Sequence, residues 1–378
     1  MSEWAKTRLG EMIAVNPTVK LTKGEIYPFI DIDKVEKQNK FVTNVETRLF
    51  DGQGGSRFQT GDTVFSRITP CLENRKIAQV KLHDDDTGFG STEFLIFRNK
   101  KGKTDPAFVY YFISSDWVVL PAINSMTGAS GRQRADRGFV ERLKIKLPDI
   151  ATQTRIADIL SAYDDAIENN NRRIALLEKA ARELYREWFV RFRFPGHEGV
   201  RFVNGLPEGW GVKKIGEVVR LQRGHDLPIA SVEYGIYPVV GSSGVIANHK
   251  TPTTKPPVIV LGRSGSVGNP QYYNCDCWVH NTAIYAKEIY GEPLWVFYML
   301  CQIDYLSLVG GSAVPTLNRN HVEARKILVP DRTLQVRFDS FVSKLFLEKS
   351  NLQQQSQNLA RQRDLLLPRL MSGKLEVK

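Results

Sequence analysis

The sequence predicts an α+β chain: two mixed α/β heads, each followed by a long helix, arranged as an internal repeat. The first observation is a heptad seam. Ile156, Leu160, Tyr163, Ile167, Asn170, Ile174, Leu177, Ala181, Leu184 and Trp188 step by four and three residues. That is the pattern of a helix packed along its length against another helix. The second is a copy of the seam: Phe338, Val342, Leu345, Leu352, Leu359 and Leu366 lie 182 residues after Ile156, Leu160, Tyr163, Asn170, Leu177 and Leu184. The third is that the heads match as well. Val140 and Pro148 answer to Val322 and Pro330, again 182 apart, whereas Trp4 and Leu9-Gly10-Glu11 answer to Trp210 and Ile215-Gly216-Glu217, 206 apart, and Tyr27-Pro28 to Tyr237-Pro238, 210 apart. The spacing changes inside the heads and stays constant from head exit through helix, because loops tolerate insertions and packed rods do not.

Taken in order, residues 1–148 form the first head. Tyr27–Ile32, Thr63–Ser66, Ile77–Val80 and Phe94–Phe97 read as strands, with β-branched and aromatic residues between turn formers. Pro106–Ile113 reads as a short helix opening on Pro. Residues 149–194 hold the first long helix, expected over Thr152–Arg193. Residues 195–330 are a linker and the second head. Phe194-Pro195-Gly196 should break the first rod, because Pro lacks a donor and Gly ends helices. Val218–Leu221, Val258–Leu261 and Thr282–Tyr285 repeat the strands, and a helix starting at Pro293 follows. Residues 331–378 are the second long helix, expected over Thr333–Leu367, with a C-terminal tail after Pro368 and Gly373.

A chain of 378 residues, 42% hydrophobic and 25% charged, has the composition of globular domains and room for a core in each half. Its 52 Lys and Arg against 41 Asp and Glu leave a net charge of +11. That excess favours a polyanionic partner, since counterions released from phosphates drive binding. The start, Met1-Ser2-Glu3-Trp4-Ala5-Lys6, lacks the apolar core of a signal peptide. No apolar run approaches the ~20 residues of a membrane span. The expected compartment is the cytoplasm, with no membrane partner. Four cysteines do not make a disulfide framework in a chain of this length. Cys275, Cys277 and His280 lack a second pair of ligands at zinc spacing, so no metal is expected.

Catalytic motifs are absent from the sequence. There is no Ser nucleophile elbow and no His/Glu metal motif. Asn16-Pro17-Thr18 departs from the motif of adenine methylation, and Gly88-Phe89-Gly90-Ser91-Thr92-Glu93 opens onto a strand rather than a helix. Gly262-Arg263-Ser264-Gly265 has no following Gly-Lys-Ser/Thr and so is not a phosphate loop. As a turn it can bring Arg263 and Ser264 to a DNA phosphate, and Arg67, Arg75 and Lys76 take the comparable place in the first head. Better candidates are the loops before the long helices. The first holds Ser130, Arg132, Gln133 and Arg134, the second Ser312, Asn318 and Arg319. Arg, Gln and Asn read base edges bidentately, and small residues let backbone approach phosphate. The bland alternative for all of these is a solvated surface. Asn170 in the first seam and Lys349, Ser356 and Arg363 in the second are polar positions that either set the register of the two helices at some cost in stability or face a partner subunit rather than the sister helix.

Together these residues resemble the specificity (S) subunit of type I restriction–modification systems. The resemblance is carried by Leu147-Pro148 through Gln153, Ile156-Ala157, Leu160 and Asp164, by Leu184-Tyr185-Arg186-Glu187-Trp188-Phe189, and by Leu365-Leu366-Leu367-Pro368-Arg369-Leu370-Met371-Ser372-Gly373. The two head starts and Gly61-Asp62-Thr63-Val64-Phe65-Ser66-Arg67 fit it too. It covers essentially the whole chain. It implies two target-recognition domains that each read one half of a bipartite site in double-stranded DNA. It implies two helices packed as an antiparallel coiled coil with pseudo-twofold symmetry, docking two methyltransferase (M) subunits, with restriction (R) subunits joining them. S-adenosylmethionine, ATP and Mg²⁺ would belong to those partners, and the chain itself would carry no cofactor and catalyse nothing. Two other classes compete with this reading: a self-contained DNA methyltransferase or nuclease fragment, and a coiled-coil adaptor with no DNA role.

Overall fold

In the computed structural model, which describes residues 4–377 apart from 38, 43–44, 84–85, 130 and 310–314, the first head opens with β1 (Ala5–Arg8), the single turn α1 (Leu9–Met12) and β2 (Ile13–Val15). β3 (Ile26–Ile30), β4 (Glu46–Leu49), β5 (Ser56–Gln59), β6 (Thr63–Ser66), β7 (Ile77–Gln79), β8 (Thr87–Gly90) and β9 (Phe94–Asn99) follow. Then come α2 (Pro106–Ser114), α3 (Asp116–Asn124), α4 (Arg137–Arg142) and β10 (Lys144–Leu147), which leads into α5 (Ile150–Tyr185). The second head runs through β11 (Phe202–Val203), β12 (Leu206–Pro207), β13 (Gly211–Lys214), β14 (Val219–Arg223), β15 (Tyr237–Gly241), β16 (Gly244–His249), β17 (Val258–Gly262), β18 (Gly268–Tyr273), β19 (Trp278–Val279) and β20 (Ala283–Ile289). It ends with α6 (Pro293–Leu300), α7 (Arg319–Glu323) and β21 (Lys326–Val329), before α8 (Arg332–Met371).

The repeat reaches the level of single hydrogen bonds. β1 pairs with β10 at Ala5↔Leu147 and Arg8↔Lys144, and β13 pairs with β21 at Gly211↔Val329 and Lys214↔Lys326. The core sheets are β2-β9-β6-β7 and β14-β20-β17-β18, and the outer sheets are β4-β3-β8-β5 and β16-β15-β19. Each long helix is tied to its head by a buried glutamine. Gln153 donates to Pro148 O at 2.9 Å and accepts from Asp105 N at 3.1 Å; Gln335 donates to Pro330 O at 3.0 Å and accepts from Glu292 N at 3.2 Å. Such buried amides persist because their donors and acceptors are paired.

The chain divides into two compact units, Met1–Arg172 with Leu352–Lys378, and Arg173–Asn351. In the first, Leu9, Ile13, Phe65, Phe97, Phe108 and Val140 share a core with Ile156 and Leu160 of α5 and Leu370 and Met371 of α8. In the second, Leu221, Ile259, Trp295 and Val322 share one with Ala181, Tyr185 and Trp188 and with Phe338 and Val342. Apolar burial on this scale is the main force holding each head to its helix ends. Within both units, moving forward along α5 means moving backward along α8. In the first unit Asp164 meets Arg363, while Ile156 lies with Leu370. In the second, Glu178 meets Lys349 at 2.7 Å, while Tyr185 lies against Phe338, ring centroids 5.8 Å apart. The helices are antiparallel.

Three expectations are corrected. Of the two readings of the polar seam positions, the partner-facing one is corrected and register setting is supported: Lys349 and Arg363 both pair with carboxylates of α5, Arg363–Asp164 nearly buried and Lys349–Glu178 partly exposed. Ser356 Oγ is buried without a hydrogen bond among the described residues. The second helix does not stop before Pro368. It continues to Met371, since Leu370 and Met371 are almost wholly buried and their burial carries it past the lost donor; Gly373, at φ +69°, ends it. The first helix breaks before Pro195, through a π turn at Arg186–Val190 and Phe192 at φ +59°. That turn places Trp188 and Phe189 in the core of the second head.

Candidate nucleic-acid interface

Both heads turn the end of one core strand into the same edge. The pairs Ser66↔Phe94 and Gly262↔Ala283 put the next residues, Arg67 and Arg263, at equivalent places. Arg67 N donates to Glu93 O and Arg263 N to Thr282 O, each at 2.9 Å. The arginine carbonyls accept from Ala135 N and Leu317 N, each at 2.8 Å, which pins the exit loop of each head against the edge. In the first head, reciprocal bonds between Thr127 and Arg134 (3.1 and 2.9 Å) close the loop, and Gln133 O accepts from Thr69 N at 2.9 Å. Gly128 and Gly131, at φ +127° and +78°, allow the chain to reverse. The tip presents Arg132 and Gln133, both exposed and without side-chain partners among the described residues.

Glu93 organises the cations beneath that tip. Arg134 donates to it through Nε at 3.0 and 2.9 Å and through Nη2 at 2.6 Å, and Arg67 Nε lies 3.5 Å away. The Arg134 guanidinium holds the Glu93 carboxyl below the usual carboxylate range. At the equivalent place in the second head, Thr282 Oγ1 lies 3.0 Å from His280 Nδ1. Arg263 there makes one long contact, 3.5 Å to Asn281 O. Ser264 joins Thr316 in an isolated bridge, as Ile68 joins Arg134 in the first head.

The structure therefore brings Arg67, Arg132, Gln133 and Arg134 together in one head, and Arg263 and Ser264 together in the other. It does not bring Arg75, Lys76, Asn318 or Arg319 to these edges as free side chains. Arg75 bonds Ser114 O at 3.2 Å and the Asp116 carboxylate. Lys76 Nζ turns inward to Ile32 O at 2.9 Å. Asn318 caps α7 by accepting from Asn320 N at 2.9 Å, as Asp136 caps α4 by accepting from Phe139 N. Arg319 braces the core sheet by donating to Leu221 O at 3.0 Å, just as Arg137 donates to Val15 O at 3.1 Å. Ser130 and Ser312 lie outside the described residues. Sequence reasoning missed Glu93 and Thr282 as partners of these arginines. The signal was available only by aligning the two strand ends, where the spacing within the repeat changes. The Cys275 and Cys277 sulfurs lie 3.8 Å apart, and no group of three metal-ligating side chains occurs among the described residues.

Two like heads on antiparallel helices, each with an arginine at a loop-pinned edge, define a two-headed recognition protein. Residues 1–179 and 207–361 both match the type I restriction modification DNA specificity domain, and the chain belongs to that family. The MjaIX specificity subunit of Methanocaldococcus jannaschii, a type I restriction enzyme subunit, is 25% identical over 312 residues, 75% of this chain and 72% of that one. The putative MjaX specificity subunit of the same organism is 22% identical over 410 residues, 97% and 92% of the two chains. The crystal structure of a type I restriction–modification S subunit from M. genitalium shares the fold, with a TM-score of 0.60 at 18% identity over 97% of this chain and 96% of that one. No single described helix is long and apolar enough to cross a membrane.

Proposed function

We propose that this chain is the sequence-reading, non-catalytic subunit of a cytoplasmic type I restriction–modification complex. The head of residues 1–148 reads one half of a bipartite site in double-stranded DNA, and the head within 195–330 reads the other. The helices within 149–194 and 331–378 space the heads and dock two M subunits, to which R subunits are added. One observation carries the reading: the two family matches fall on two heads whose entry and exit strands, β1 with β10 and β13 with β21, pair in the same register. Arg132 and Gln133 serve the first half-site as the free side chains of a pinned loop, and Arg263 and Ser264 serve the second. S-adenosylmethionine, ATP and Mg²⁺ belong to the partner subunits. Co-expression with the M subunit, followed by mass measurement of the purified complex, tests the assembly. The expected product has one copy of this chain and two M chains. A chain that stays alone beside its M partner contradicts the proposal.

A further inference from the structure

The two heads carry different charge at the same place. Glu93 and Thr282 occupy equivalent positions, since each offers its carbonyl at 2.9 Å to the arginine that follows a core strand. In the first head that position is a carboxylate, and it binds Arg134 bidentately and lies 3.5 Å from Arg67. One carboxylate thus holds both guanidiniums, Arg134 through hydrogen bonds and Arg67 through a 3.5 Å contact without one. In the second head the position is a threonine. No carboxylate lies within salt-bridge distance of Arg263 among the described residues, and the five undescribed residues of that head, 310–314, are Gly, Gly, Ser, Ala and Val. Arg263 is partly exposed, and its only side-chain hydrogen bond among the described residues is the long one to Asn281 O.

A guanidinium already clamped by a carboxylate gains little from a phosphate, because a new contact must first break the old pair. An uncompensated one releases a counterion on binding and adds to the salt dependence of affinity. We infer that residues 93 and 282 set how each head meets the DNA backbone: Glu93 keeps Arg67 and Arg134 as internal struts, whereas Thr282 leaves Arg263 free to bind a phosphate. The inference rests on the proposed DNA-reading function. It adds that the heads are unequal in backbone affinity, with the second head the more salt-sensitive.

Reciprocal exchange tests it on the full chain co-purified with its M partner. The probe is a fluorescently labelled 40-base-pair duplex of mixed sequence, titrated over a range of salt concentrations. Thr282→Glu places a carboxylate beside Arg263 and should lower the slope of log affinity against log salt by about one unit. Arg263→Ala should lower it by the same amount, and the double variant should fall no further. Glu93→Thr releases Arg67 and Arg134 and should raise the slope; Arg67→Ala in the wild-type background should leave it unchanged. Circular dichroism of each variant checks that the fold is retained, and Thr282→Val, which adds no charge, controls for a purely structural effect at that site. If wild type binds with a clear salt slope and Thr282→Glu leaves that slope unaltered, the inference is overturned while the DNA reading stands. If wild type shows no salt-dependent binding, the DNA reading fails and the inference falls with it.

Discussion

Arg132 and Arg319 look alike in the sequence, each an arginine beside an amide in a loop before a long helix. The fold gives them different work. Arg132 is exposed at the tip of a pinned loop with no side-chain partner among the described residues, whereas Arg319 holds Leu221 O at 3.0 Å. Arg319→Ala should therefore cost about 1 kcal/mol of stability, the net value of one hydrogen bond, and should leave half-site specificity intact. Arg132→Ala should leave stability within about 0.5 kcal/mol, as surface changes usually do. It should cost about 1–3 kcal/mol in binding if the contact is to a base, with specificity relaxed at one position. Urea denaturation beside binding to a panel of site variants separates the two. Loss of specificity in Arg319→Ala with stability unchanged would reverse the assignment. The residue scale was the least legible in the sequence. Whether a guanidinium is free depends on carbonyls and carboxylates distant along the chain, such as Leu221 for Arg319 and Glu93 for Arg134, and no local pattern displays them.

Elements were far more legible, because periodicity and spacing report packing directly. The seam from Ile156 to Trp188 and its copy mark the two helices that run antiparallel, and the strands beginning at Thr63, Phe94 and Val258 start where the sequence puts them. Helix ends were harder. Pro368 reads as a stop, yet the burial of Leu370 and Met371 outweighs it. Polar seam positions were hardest, since a heptad cannot say which charge lies opposite. Arg363 and Asp164 are each nearly buried, with side chains 11% and 4% exposed. Tyr111 also donates to Asp164, and burial, with that charge beside it, pushes its phenol well above the ordinary range, so it remains a donor. At the matching positions of the second head stand Ala181, Phe346 and Tyr298, an apolar joint. Removing one member of a buried pair strands the other. Arg363→Ala should cost about 3–5 kcal/mol, and Asp164→Ala combined with Arg363→Ala should cost clearly less than the sum of the single changes. Urea denaturation of the two single variants and the double closes the cycle. Strict additivity would mean that the pair does not act as a unit.

At the scale of the whole molecule, the repeat is the argument. Matching offsets from head exit through helix, matching registers at Ala5↔Leu147 and Gly211↔Val329, and matching glutamine ties at Gln153 and Gln335 make two readers of one design. Under the proposed function, helices of fixed length should set a fixed gap between the half-sites. α5 has 36 residues, about 54 Å at ~1.5 Å per residue. The ion pairs Asp164–Arg363 and Glu178–Lys349 lock the helix register, so any change of length must be made in both helices together.

The most direct test is therefore a map of modified adenines across the genome in cells carrying this chain and its M partner. The map is made for the parent and for a variant with four residues inserted near Asn169–Asn171 and four near Ser356. Four residues add about one turn, roughly 6 Å, against ~3.4 Å per base pair. The parent should give a bipartite motif with an unread spacer. The variant should keep both half-site sequences and lengthen the spacer by about one or two base pairs. A variant with altered half-sites and an unchanged spacer, or a parent with one continuous motif, would contradict the two-reader account.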